Sequence, residues 1–145
     1  MRNIASALRD IDLPDINSGG CGIAALAAIR LAKKHNEEVN IVLLYKSDEK
    51  NWFESNQSLI KSGNIKDAFV PSHVAIIFDG ITVDTSGIVE DYSYSYSQSD
   101  ISEDELITLI NHGDWNDRFQ RDKDIPRIEK ILGINLDDVK LQVIL

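Results

Sequence analysis

Cys21, His73 and Asp84 are the residues whose types and placement in this chain could perform nucleophilic chemistry together. Cys21 is the only cysteine. It stands in Asn17-Ser18-Gly19-Gly20-Cys21-Gly22, directly before an alanine-rich run from Ile23 to Lys34. Ala24, Ala25, Ala27, Ala28 and Ala32, with Leu26, Arg30, Leu31, Lys33 and Lys34, are strong helix formers. Lys33 and Lys34 suit the negative end of a helix dipole, and Asn36 can end the helix. Asn17 and Ser18 are candidate caps, and the glycines permit a sharp entry. Cys21 is therefore expected in or near the first turn, where the partial positive charge and free N–H groups favour a thiolate. Glycines on both sides are expected to leave room for a substrate backbone. A lone cysteine is most often a small buried hydrophobe, so chemistry at Cys21 requires a partner.

Pro71 to Gly87 supplies one. Asp79-Gly80 between two alternating runs is a hairpin signal with a type I′ turn. That turn pairs Phe78 with Ile81, Ile76 with Val83 and Val74 with Thr85. One face then carries Val74, Ile76, Phe78, Ile81 and Val83, a core face. The other carries His73, Ala75, Ile77, Thr82, Asp84 and Ser86. Asp84 lies opposite Ala75 and is a diagonal neighbour of His73, at about 7–8 Å between backbones. A His–Asp hydrogen bond is thus available without strain. Asp79 has the same parity but lies about 20 Å along the strand from His73, at ~3.3 Å per residue, and is set aside. A one-residue bulge would turn Asp84 to the wrong face. His35 and His112 read as helix-end surface residues without a role.

A thiol at a helix start with a histidine and a carboxylate from a sheet has the parts for acyl transfer. Cys21 would attack, His73 would carry the proton, and Asp84 would fix the imidazole tautomer. The oxyanion would be held by the backbone N–H of Cys21 and a second donor, for which Asn17 is the candidate. This chemistry calls for no cofactor or metal.

The elements that must position these groups read as follows. Residues 2–9 form a short amphipathic helix with Ile4, Ala5 and Leu8 on one side. Val39 to Tyr45 is a continuously apolar interior strand. Asp48 to Ser62 is a helix with Trp52, Phe53, Leu59 and Ile60 facing inward. Tyr92-Ser93-Tyr94-Ser95-Tyr96-Ser97 alternates strictly and reads as an edge strand with an aromatic face. Ser102 with Glu105 is a capping box opening a helix to about Asn111. Asp114 to Asp124 reads as a charged, solvated loop without calcium-loop spacing. Pro126 starts another amphipathic helix, closed by Gly133. Val139 to Leu145 reads as a final strand or a docked helix.

The 145 residues, 43% hydrophobic and 27% charged, suit one globular domain spanning 1–145. One cysteine excludes an internal disulfide. Met1 to Asp10 is too short and polar for a signal peptide, and no run approaches the ~20 apolar residues of a membrane span. A cytoplasmic location and no membrane partner are expected. The net charge of −9 argues against nucleic acid, which needs a basic footprint.

Gly-Gly-Cys-Gly opening a helix, followed by His-Val-Ala-Ile-Ile-Phe, a turn and Thr-Val-Asp-Thr-Ser-Gly, resembles the papain-like cysteine hydrolase superfamily. The likeness is nearest its transglutaminase-like and small phage or bacterial branches, with Cys, His, Asp order. It covers roughly residues 17–34 and 71–87. The resemblance implies an α+β fold with an N-terminal cysteine-bearing helix on an antiparallel sheet, and it matches Cys21, His73 and Asp84 to the triad. Two positions depart from the pattern. Asp15 stands where papain carries its glutamine oxyanion donor, and Gly22 stands where many members carry an aromatic. The expected function is hydrolysis of a peptide, protein or small amide as a peptidase, isopeptidase or amidase. Acyl transfer to an amine by the same triad, or a non-catalytic interaction protein on the same scaffold, are the alternatives. Arylamine acetyltransferases share the motif order but are far longer.

Overall fold

A computed structural model describes residues 4–16, 19–67, 73–89, 99–112, 115 and 118–141. The central helix, α2, is Cys21–Lys34. Its small side chains let neighbours approach from every side, and Ile23 to Ile29, Leu31 and Ala32 are all buried. A helix apolar all round belongs inside. It ends in a Schellman motif: Asn36 has φ 56°, Glu37 N–H donates to Ala32 O at 2.8 Å and Asn36 N–H to Lys33 O at 3.2 Å. Its start differs from expectation. The N-cap is Gly20, with no side-chain cap bond, because the chain enters against the ring of Phe119 where only a glycine fits.

Around α2 the chain lays down α1 (Ile4–Asp10), β1 (Asn40–Leu44), α3 (Lys50–Lys61), β2 (His73–Phe78), β3 (Ile81–Asp84), β4 (Gly87–Ile88), β5 (Ser99–Ile101), α4 (Glu103–His112) and α5 (Arg121–Leu132). The architecture is α+β. The sheet is antiparallel throughout, in the order β4-β3-β2-β1-β5. Ile41, Leu43, Val74, Ile76 and Val83 join α1 and α2 in the main core. Val42, Leu44 and Ala75 form a smaller cluster on the other face, flanked by Ile77 and Val89. β1 is therefore apolar on both faces, as an interior strand should be.

The β2–β3 hairpin has the register its turn dictates. Ile76 pairs with Val83, Ile77 with Thr82 and Phe78 with Ile81. Asp79 and Gly80 both have positive φ, 54° and 78°, the signature of a type I′ turn. Burial decays toward that turn, so Phe78 is only partly covered and Ile81 is exposed.

Four elements depart from the sequence pattern. In α1, Ala7 rather than Ala5 is buried beside Ile4 and Leu8. In α3, Trp52 faces outward and is 48% exposed, while Asn56 is fully buried. Its amide donates to the Tyr45 hydroxyl at 3.0 Å, and that bond fixes which face turns in. Within the stretch expected as a solvated loop, Trp115, Phe119, Arg121 and Asp124 are buried, while Arg118, Gln120, Asp122 and Lys123 are exposed. α5 begins at Arg121 rather than at Pro126, which lies inside it. Arg121 is held by donating to Ile110 O at 3.0 Å and Lys140 O at 3.1 Å. The Ser102–Glu105 capping box is present, with both reciprocal bonds, at 2.9 and 3.1 Å. The tyrosine alternation at 92–97 and the end of the tail at 142–145 lie outside the described residues.

Candidate active site

Three element ends meet at one place. Cys21 is the first residue of α2, His73 the first of β2, and Asp84 the last of β3. Continuing the observed register puts Asp84 opposite Ala75, one diagonal step from His73, with no bulge between. His73 Nε2 and Asp84 Oδ2 are 2.7 Å apart. The second carboxylate oxygen, Oδ1, accepts the Ser86 N–H at 2.7 Å, and the Gly87 N–H also bonds the carboxylate. Cys21 also acts on the imidazole and raises its pKa.

The electrostatics follow from this placement. Burial pulls the His73 pKa down and is the largest single influence. Hydrogen bonds to Asp84 and Cys21 and the charges of both outweigh it, so His73 is pushed up to about 9. Burial pushes Asp84 upward, but the imidazole and the Ser86 and Gly87 N–H groups prevail and hold it below the usual carboxylate range. At neutral pH the pair is imidazolium and carboxylate, with both ring N–H groups donating.

The glycines beside Cys21 have a different use from the one their context suggests. A Cβ at Gly20 would stand 2.7 Å from both Ile16 O and Phe119 Cγ, and one at Gly22 would stand 3.1 Å from Trp115 Cη2. The room they leave is filled by protein aromatics, not kept for a substrate backbone. Trp115 is fixed there by its indole N–H, which donates to Leu109 O at 3.0 Å. Trp115 and Phe119 are the residues of the site's wall that the sequence pattern missed. Their signal was two aromatics in an otherwise charged stretch.

Asn17 lies outside the described residues. Asp15 is exposed with φ 64°, and an ionised carboxylate has no proton to donate. Cys21 itself offers a main-chain N–H at an uncapped helix start. Cys21 and His73 are each 6% exposed. Beside Cys21 and Asp84 lies a small pocket of ≈ 10 Å³, also bounded by Ala24, Ala25, Val74 and Thr85. Larger clefts lie away from these three residues. One of ≈ 570 Å³ runs along the far end of α2 beside Arg30, Lys33 and Glu103, and one of ≈ 520 Å³ lies by Glu37, Phe78 and Asp79. Chemistry depends on the side chains that meet, so Cys21, His73 and Asp84 define the candidate site. His35 caps α2 and His112 ends α4.

Among the described residues, no group of three or more His, Cys, Asp or Glu side chains is placed to hold a metal ion, and no helix is long and apolar enough to cross a membrane. Comparisons with protein-family models, curated proteins and solved structures return no match.

Proposed function

We propose that the protein is a cysteine-nucleophile amide hydrolase of papain-like type, acting on a peptide, protein or small amide. The observation that carries this reading is the 2.7 Å His73–Asp84 bond, with Cys21 near enough to raise the pKa of the same imidazole. The Cys21 thiolate attacks the amide carbon, and the tetrahedral oxyanion is met by the Cys21 N–H at the α2 start. His73 delivers its Nδ1 proton to the leaving nitrogen, the C–N bond breaks, and a thioester remains on sulfur. The now neutral imidazole takes a proton from water, whose oxygen attacks the thioester. Cys21 leaves as thiolate, and His73 is again imidazolium. Asp84 keeps Nε2 protonated throughout, so Nδ1 is always the working nitrogen.

The burial of Cys21 favours a second reading, an interaction protein that keeps this scaffold without turnover. Alkylation separates the two. In wild type, iodoacetamide is expected to modify Cys21 rapidly at pH 6, with at least a tenfold loss in His73→Ala, because the ion pair is gone. An ordinary thiol reacts appreciably only as pH approaches about 8.5. Such a profile, unchanged in His73→Ala, would remove the hydrolase reading and leave the interaction protein.

A further inference from the structure

The turn after Asp84 is built as a clamp on its carboxylate. Asp84 ends β3 and pairs with Gly87, which opens β4. The connection is only Thr85 and Ser86 long. In it the Ser86 N–H is brought 2.7 Å from Asp84 Oδ1, and the Gly87 N–H also reaches the carboxylate. Gly87 has φ 114°, a conformation that L side chains rarely adopt. No heavy atom lies within 4 Å of where its Cβ would be. Glycine is therefore there for the backbone angle, not for space. That angle aims two main-chain donors back at Asp84.

A carboxylate on a free rotor would spread over several χ1 and χ2 settings. With Oδ1 tied to its own turn, only Oδ2 is left to face His73, and it does so at 2.7 Å. Among the described residues, the titratable groups acting on His73 are Asp84 from β3 and Cys21 from α2. The orientation of Asp84 therefore sets how His73 is held against the sulfur.

We infer that Gly87, with the Ser86 N–H, is a positioning residue that locks Asp84 toward His73. This rests on the triad reading, but it concerns the resting enzyme and can be tested without turnover. The experiment is a titration of His73 by NMR in wild type, Gly87→Ala, Ser86→Pro and Asp84→Asn. Gly87→Ala strains the turn without a clash, and Ser86→Pro deletes the N–H that Oδ1 accepts. Asp84→Asn sets the scale for a lost carboxylate.

The His73 midpoint is expected to fall by roughly 1 unit or more in Gly87→Ala, toward the value in Asp84→Asn. Ser86→Pro, where folded, should fall in the same direction. A dispersed, folded spectrum of Gly87→Ala with the wild-type midpoint would overturn the clamp. Failure of Gly87→Ala to fold would overturn it as well, since the open space at this position predicts a local effect only. The hydrolase reading is judged separately by alkylation of the wild-type protein at pH 6. An inert Cys21 with a shifted His73 would keep the clamp and lose the enzyme. A reactive Cys21 with an unmoved His73 would do the reverse.

Discussion

At the scale of single residues, the buried ion pair makes stability depend on pH in two directions. The folded pKa of His73, about 9, exceeds the ~6.5 of an unfolded histidine. Its contribution is full below about 6.5 and is lost as pH rises through 9. Asp84 is shifted the other way. Its contribution is present above the unfolded value of about 3.9 and is lost as pH falls through its lower folded pKa. Stability should therefore plateau between about pH 4 and 6.5 and fall on the alkaline side. Urea midpoints measured from pH 5 to 9.5 check this. The alkaline fall should be largely absent in Asp84→Asn, and its persistence there would assign it to other groups. Thr85 gives a second residue-scale expectation. It is 1% exposed, and its hydroxyl has no hydrogen-bond partner among the described residues. An unpaired buried hydroxyl costs about 1–3 kcal/mol. Thr85→Val removes that cost at nearly constant shape. It should be neutral or raise stability by about 1 kcal/mol, and calorimetry reads the sign.

At the scale of elements, the start of α2 is shaped by the aromatics that pack on it, and the two glycines should respond unequally to a methyl. At Gly20 the new Cβ meets main chain, Ile16 O at 2.7 Å, which cannot move without shifting the turn. Gly20→Ala should cost about 2–3 kcal/mol. At Gly22 the nearest atoms are side-chain carbons at 3.1 and 3.2 Å, and alanine gains up to ~1 kcal/mol of helix propensity. Gly22→Ala should therefore cost less than about 1 kcal/mol. Equal stability of Gly20→Ala and wild type, with thiol chemistry lost, would mean that the glycine serves a substrate rather than Phe119. The same contacts explain what the sequence could express. The hairpin was legible because alternation and the Asp79-Gly80 turn are local and together set the register that joins His73 to Asp84. The Ser102 capping box was legible for the same reason. Trp115, Phe119 and Arg121 were not, because their burial comes from α2, far away in sequence, and from main-chain carbonyls near the end of α4 that no side-chain pattern displays. Pro126 was misleading, since a proline can signal a first turn and here lies within the helix. In α3, Phe53, Leu59 and Ile60 pack against the core as their spacing suggests, and only Trp52 does not. The choice of inward face was made by the Asn56–Tyr45 bond, which no single-element pattern contains.

At the scale of the whole molecule, α2 is the axle. It touches α1, β1, β2, β3, α4 and α5, so Cys21 cannot be released without disturbing most of the core. Its far end is tied to the C-terminal segment by Arg30, which donates to Asp138 Oδ1 at 2.7 Å, Oδ2 at 2.6 Å and Asn135 O at 2.8 Å. The Asp138 side chain is 46% exposed, so solvent screening discounts the pair and its loss should cost only about 1 kcal/mol. Arg30 lies nine residues along α2 from Cys21, roughly 13–14 Å away. Arg30→Ala should therefore lower the urea midpoint without changing the slope of the transition, and leave the alkylation rate of folded Cys21 as it was. If the domain unfolds as one unit, three probes should trace one curve: tryptophan fluorescence, helical circular dichroism, and exposure of Cys21 to a thiol reagent. A Cys21 transition at lower urea than the other two would mean that the start of α2 opens locally. That opening would be a route by which a reagent reaches a thiol that is 6% exposed in the folded protein. Coincident curves would instead mean that the reagent reaches Cys21 only when the whole domain unfolds.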